Sequence, residues 1–197
     1  MMFSTLKKDL RQLYREKRNG IAAEAIRQQS EIIADRLCGW LSDYPHIRCI
    51  HSFLPSESKK EVDTFIILRQ IREAFPLLKI AVPRIGAGDR VLSHHVFDAA
   101  TDLVSNRWGI PEPADSEEIS VDEIDAVLLP LLIFDKSGHR VGYGGGFYDA
   151  FLAVCRTDTR KIGLCIFDPV EIISDTGPHD IRMDVCITPS HVWDFTG

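Results

Sequence analysis

Residues 125–149 read DAVLLPLLIFDKSGHRVGYGGGFYD, and this stretch decides the fold. Residues 125–135 are almost wholly apolar, as in a central strand of a parallel sheet, which is buried on both faces. Pro130 predicts an irregularity within that strand, because proline cannot donate to the ladder. Lys136, Ser137, Gly138 and His139 then make a turn, and four glycines follow in five positions, 142–146, just before a helical pattern. Glycine adds unfolded-state entropy that folding must overcome, so this density implies a close approach to the backbone. A helix N-terminus offers unpaired amides and partial positive charge. Consecutive glycines let several N–H groups turn inward around a phosphate. Arg140 adds a charge two residues before the first glycine. Asp149 beyond the last one is the kind of carboxylate that holds Mg²⁺ beside phosphate oxygens. The spacing is neither a Walker A loop, which ends in GK[ST], nor GxGxxG. A mobile loop or a tight packing corner accounts for the same glycines, so both readings stand at this point.

The flanking sequence alternates strands and helices. Leu6, Leu10 and Leu13 form one helical stripe, which breaks at Asn19-Gly20. Ala22, Ala25, Ile26, Ile33, Leu37, Trp40 and Leu41 share the face of a second helix, ended by the polar cluster at 43–45. Strands are expected at 47–55, at 79–85 and, across a turn at 86–89, at 91–97. A helix is expected over 63–75, with Asp63 as its N-cap. A polar, proline-bearing loop precedes residue 125. A helix at 148–155 and strands at 161–168 and 184–189 complete the chain. The expectation is one domain, residues 1–197, of α/β class: three layers, a mostly parallel central sheet with flanking helices. No internal repeat, low-complexity tract or linker is found.

Composition narrows the function classes. The chain has 197 residues, 45% of them hydrophobic, enough for one good-sized core. A net charge of -6 argues against general binding to nucleic acid or anionic membrane. Residues 1–18 do carry six Lys or Arg against two acids, but no aromatic platform or recognised module accompanies them. The five cysteines are odd in number and none form CxxC, so reduced thiols and a cytoplasmic setting are expected. No signal-peptide pattern opens the sequence, and no run approaches the roughly 20 apolar residues of a membrane span.

Other groups also suggest chemistry. Lys7 and Arg11, four apart on the first helix, project from one face, where two cations grip a polyphosphate or simply face solvent. Glu61 lies in a loop. Trp108 lies between Asn106 and the prolines 111 and 113, suited either to walling an aromatic ligand or to the core. Phe147 and Tyr148 follow the glycines, and Phe147 equally suits the core. Asp180 and Asp184 precede the last predicted strand. His94 and His95 are adjacent on a strand, face opposite ways and cannot chelate one metal together.

FDKSGHRVGYGGGFYD, residues 134–149, resembles the signature of the 5-formyltetrahydrofolate cyclo-ligase family. KKDLR at 7–11, EVDT at 61–64, WGIPEP at 108–113 and DIRMDVCITPS at 180–190 recur in the family's order. The resemblance implies a fold of the sugar-phosphate isomerase and CoA-transferase type. It implies ATP-dependent cyclisation of 5-formyltetrahydrofolate to 5,10-methenyltetrahydrofolate, with release of ADP and phosphate. It places ATP against Lys7, Arg11, Arg140, Gly142, Gly144, Gly145, Gly146, Phe147 and Tyr148, with Arg140 and Lys7 catalytic. The folate falls to Glu61, Trp108 and Tyr148, and Mg²⁺ to Asp149 and Asp180. Two departures stand out: Tyr143 lies where some relatives carry arginine, and Gly145 where some carry lysine. A monomer is expected. The alternative is a non-catalytic module of the same fold that binds a phosphorylated metabolite at the glycines.

Overall fold

The computed structural model describes residues 5–86 and 90–196. Helices α1 (Lys7–Asn19) and α2 (Ala23–Ser42) form where helical spacing predicts, divided at Gly20, whose N–H bonds the carbonyls of Glu16 and Lys17. Only three residues of the apolar run 47–55 form a strand, β1 (Cys49–His51), although the Ser52 N–H still bonds the Ala81 carbonyl at 2.8 Å. Asp63 caps α3 (Thr64–Ala74) as expected, its carboxylate accepting the Phe65 N–H at 3.0 Å. Strands β2 (Lys79–Ile85) and β3 (Leu92–Val96) pair antiparallel. Residues 87–89 of their expected turn lie outside the described residues.

The expected loop before residue 125 contains an antiparallel ribbon, β4 (Leu103–Ser105) with β5 (Pro111–Pro113). Its turn is organised by Asn106, whose side-chain oxygen accepts the N–H groups of Trp108 and Ile110 at 2.9 and 3.1 Å. The β4 side chains are exposed, so no hydrophobic alternation announces the ribbon.

The single strand expected over 125–135 is instead two. β6 (Ala126–Pro130) lies in the main sheet, while β7 (Ile133–Phe134) pairs antiparallel with β8 (Arg140–Val141). Pro130 ends β6 because it has no N–H to offer a neighbouring strand. The Leu132 N–H then bonds Val141 at 2.8 Å, so pairing passes from the sheet to the hairpin. Both halves stay buried, which is why the sequence is apolar throughout. Helix α4 (Phe147–Leu152) starts one residue earlier than expected and ends three earlier. Strands β9 (Arg160–Leu164), β10 (Val185–Ile187) and β11 (Val192–Asp194) close the chain, the last unanticipated.

The main sheet runs β11-β10-β9-β6-β1-β2-β3. The five inner strands are parallel, and the edge strands β11 and β3 are antiparallel to them. Alternate residues face opposite layers, as strand geometry requires. Ile50, Val82, Leu128 and Ile162 pack with Ile33 and Leu37 of α2 and Ile67 and Ile71 of α3. Cys49, Ala81, Val127 and Leu129 pack with Phe151 and Leu152 of α4. The three-layer α/β expectation holds. Leu10 and Tyr14 of α1 bury against Leu132, Ile133 and Val141, which seats α1 on the β7–β8 hairpin beside the glycines. All five cysteines are free thiols. Among the described residues no helix is long and apolar enough to cross a membrane.

Candidate active site

Ligands of open α/β sheets bind outside the carboxyl ends of the parallel strands. Here β1 leads into the segment carrying Glu61, and β6 leads through the hairpin into the glycines. α1 packs alongside. Between them opens a cavity of about 670 Å³, within the usual span of about 300–1,000 Å³ for small-molecule sites. Every residue singled out for ATP, folate or Mg²⁺ lines it: Lys7, Arg11, Glu61, Trp108, Arg140, Gly142, Gly144–Gly146, Phe147, Tyr148, Asp149 and Asp180.

The glycines are needed at specific places. Gly144 and Gly146 have φ of +93° and +72°, which side chains rarely adopt. The close neighbours there are the protein's own cations. The Arg11 guanidinium lies 3.6 Å from where a Gly144 Cβ would stand, and Arg90 lies 3.4 Å from that of Gly146. Arg11 Nε also donates to the Gly142 carbonyl at 2.9 Å. A Cβ on Gly142 would meet nothing within 4 Å, so this part of the loop faces open cavity. The helix that follows is only six residues long. Its dipole is correspondingly small, so an anion at this loop would depend on the loop amides and nearby cations more than on the helix.

Two ion pairs organise the charges. Lys7 Nζ donates to the Asp180 carboxylate, and the Lys7 backbone N–H donates to Asp175 at 2.7 Å. Burial tends to raise the Asp180 pKa, but Lys7, the Gly177 N–H and Arg140 outweigh it and hold the carboxyl below its ordinary value. Arg140, its side chain 6% exposed, donates to Asp149 Oδ1 at 2.7 Å and to the Ile181 carbonyl. Burial lowers its pKa, opposed by Asp149, Asp180 and Tyr148, and a guanidinium starting so high stays charged.

Glu61 is buried, and its carboxylate accepts the Ser56 N–H at 2.7 Å. Burial and the Glu61 charge push the Tyr148 phenol up. The Tyr148 hydroxyl is itself buried and has no hydrogen-bond partner among the described residues. Trp108 is 46% exposed at the cavity rim, with the Arg107 guanidinium 4.0 Å over its ring, so the core alternative for Trp108 is set aside. Phe147 likewise lines the cavity.

Other candidates lie elsewhere. Asp184 is a structural anchor, accepting the Lys161 N–H at 2.7 Å. His95 bonds Ser93 and the Ser116 carbonyl, while His94 stacks on Phe151. Among the described residues no group of three His, Cys, Asp or Glu could hold a metal. Asp149 and Asp180 nevertheless fit Mg²⁺, which takes one or two carboxylates and completes its shell with phosphate oxygens and water. Each keeps one oxygen that accepts no hydrogen bond among the described residues. Sequence reasoning missed Lys59 on the cavity wall, since a lysine in SESKK carries no distinguishing signal.

A family model described as the 5-formyltetrahydrofolate cyclo-ligase family matches residues 4–189. The chain belongs to the 5-formyltetrahydrofolate cyclo-ligase family. As a cyclo-ligase it is an enzyme, which leaves the non-catalytic module without support. A probable 5-formyltetrahydrofolate cyclo-ligase of Schizosaccharomyces pombe is 30% identical over 161 residues, 73% of this chain and 75% of that protein. The cyclo-ligase of Escherichia coli (strain K12) is 27% identical over 191 residues, 93% of this chain and 100% of the relative. Among solved structures, the 5,10-methenyltetrahydrofolate synthetase of Aquifex aeolicus superposes with a TM-score of 0.79 at 24% identity, covering 97% of this chain and 93% of that one. That likeness establishes the cyclo-ligase fold.

Proposed function

We propose that the cavity converts 5-formyltetrahydrofolate and ATP into 5,10-methenyltetrahydrofolate, ADP and phosphate. The observation that carries this reading is one cavity lined both by Lys7, Arg11, Arg140 and an open glycine loop, suited to phosphates, and by Glu61, Tyr148 and Trp108, suited to an aromatic polar ligand.

The chemical obstacle is the formamide carbonyl, a poor electrophile whose oxygen leaves badly. The formyl oxygen attacks the γ-phosphorus, the bond to ADP breaks, and an iminium phosphate forms. Nitrogen-10 of the same folate attacks the activated carbon, and phosphate departs carrying the former formyl oxygen and taking up the proton that nitrogen-10 loses. Nucleophile and electrophile both belong to substrates, so no covalent side chain is required. Catalysis of such a transfer is chiefly positioning and charge neutralisation.

Lys7, Arg11 and Arg140 supply that charge, and the Gly142–Gly146 backbone passes close to the phosphates. Glu61 and the unpartnered Tyr148 hydroxyl orient the pterin, and Trp108 covers it from the rim. Asp149 and Asp180 would hold Mg²⁺. When bound, the ion shields the charge of the phosphate oxygens. Ring closure within one bound molecule gains from proximity.

The test is near-UV absorbance of the protein with 5-formyltetrahydrofolate, Mg²⁺ and ATP. A rise that requires ATP supports the reading. No rise from folded protein overturns it.

A further inference from the structure

Four cations line the cavity among the described residues: Lys7, Arg11, Lys59 and Arg140. Lys7 is paired with Asp180, and Arg140 with Asp149. Arg11 and Lys59 alone have no carboxylate partner among the described residues. Between Arg140 and Asp149 the loop itself contains no Lys or Arg. Among the described cavity-lining residues, then, the cations that a triphosphate meets without a carboxylate partner are Arg11 and Lys59, with Arg90 standing beside Gly146.

Lys59 is held beside the loop by its neighbours. Its ammonium stands 4.7 Å from the ring centroid of Tyr143, between Gly142 and Gly144 in sequence. Tyr143 is fixed in turn by Arg18, a buried residue of α1 that donates to the phenol oxygen and reaches the Leu131 carbonyl at 3.4 Å. A cation on a ring face gains from the ring quadrupole while its N–H donors remain available to a ligand. Two residues further on, Glu61 turns inward to the Ser56 N–H. One short segment thus presents an unpaired cation beside the loop assigned to phosphate and a carboxylate beside the surfaces assigned to folate.

We propose that Lys59 is a further catalytic residue, contacting the γ-phosphate of ATP as it passes to the folate, and that Tyr143 is the positioning residue beneath it. This rests on the cyclo-ligase reading of the cavity. Arg140 and Lys7 share their charge between phosphate and a carboxylate; Lys59 adds a charge that no carboxylate shares among the described residues.

The experiment is steady-state turnover of wild type, Lys59→Gln, Lys59→Arg, Tyr143→Leu and the Lys59→Gln/Tyr143→Leu pair, varying ATP and folate separately. Lys59 makes no structural hydrogen bond through its side chain among the described residues, so Lys59→Gln is expected to fold, and circular dichroism checks this. Lys59→Gln is expected to lose about 100-fold in kcat/KM for ATP, mostly in kcat, as expected when one donor to a developing anion is removed. KM for folate should stay within about twofold, and Lys59→Arg should recover most of the rate. Tyr143→Leu should lose about 5-fold, on the scale of one cation–π contact, and add nothing once Lys59 is gone. Unchanged ATP kinetics in Lys59→Gln beside an active wild type would overturn the proposal alone. So would a defect confined to the KM for folate, which would assign Lys59 to the folate's own carboxylates. An inactive, folded wild type would instead sink the cyclo-ligase reading on which it rests.

Discussion

Replacing Arg140 with alanine separates the structural and chemical roles of the residue at the centre of the site. Its guanidinium ties Asp149 at the start of α4 to the Ile181 carbonyl, beside Asp180. Removing one member of a buried pair costs about 3–5 kcal/mol, because the partner is left uncompensated. The Asp149 side chain is 35% exposed, so water takes over part of the role and the lower end, about 3 kcal/mol, applies. For a domain of this length that is a fall in Tm of about 6–12 °C. Turnover should fall further than stability explains, by about 10²–10³-fold at a temperature where the variant is fully folded, since a cation facing the transferred phosphoryl group is gone. The assay pairs a thermal unfolding curve with turnover at that temperature. Arg140→Lys should recover part of the rate but less of the stability, because a point charge does not fork between two fixed acceptors. Turnover of folded Arg140→Ala within tenfold of wild type would refute the phosphate role. An unchanged Tm would refute the structural one.

Two further outcomes follow from the geometry. Gly142→Ala should leave Tm unchanged, because its Cβ meets nothing within 4 Å, yet raise the KM for ATP. Gly144→Ala should lower Tm through backbone strain of about 1–2 kcal/mol at its positive φ, and equal Tm values for the two variants would contradict that account. Acid should weaken the fold before its carboxylates titrate. Burial, with His95 adding to it, pushes the His94 pKa down to about 4, and burial with His94 pushes that of His51 well below its ordinary value. The unfolded chain protonates these histidines near pH 6.5 while the folded chain resists, so stability falls as pH drops through that range. His94 alone accounts for about 3 kcal/mol by pH 4. Urea unfolding at pH 7 and pH 4.5 measures the loss, and a stability flat across that interval would contradict it.

Much of the fold was legible because its signals were periodic. The stripes of α1, α2 and α3 and the apolar parallel strands follow from spacing alone. The 125–135 run misled because burial and pairing are different things: Leu128 in the sheet and Ile133 in the hairpin are equally buried, so hydropathy cannot tell them apart. The β4–β5 ribbon gave no alternation because Leu103 and Val104 are exposed. For the site, motif resemblance singled out residues that the fold gathers around one cavity. It could not supply the pairings. Lys7 meets Asp180 across nearly the whole chain, and that contact depends on α1 docking on the β7–β8 hairpin. Lys59 escaped notice for a similar reason, since its distinction is an aromatic neighbour far along the sequence.

The central claim is that ATP and folate meet in this cavity closely enough for the formyl oxygen to take the γ-phosphoryl group. The most direct measurement follows the fate of that oxygen, using 5-formyltetrahydrofolate labelled with oxygen-18 in the formyl group and mass analysis of the released phosphate after single-turnover reaction with ATP. The account predicts one labelled oxygen in each phosphate formed. Unlabelled phosphate alongside methenyltetrahydrofolate would contradict it.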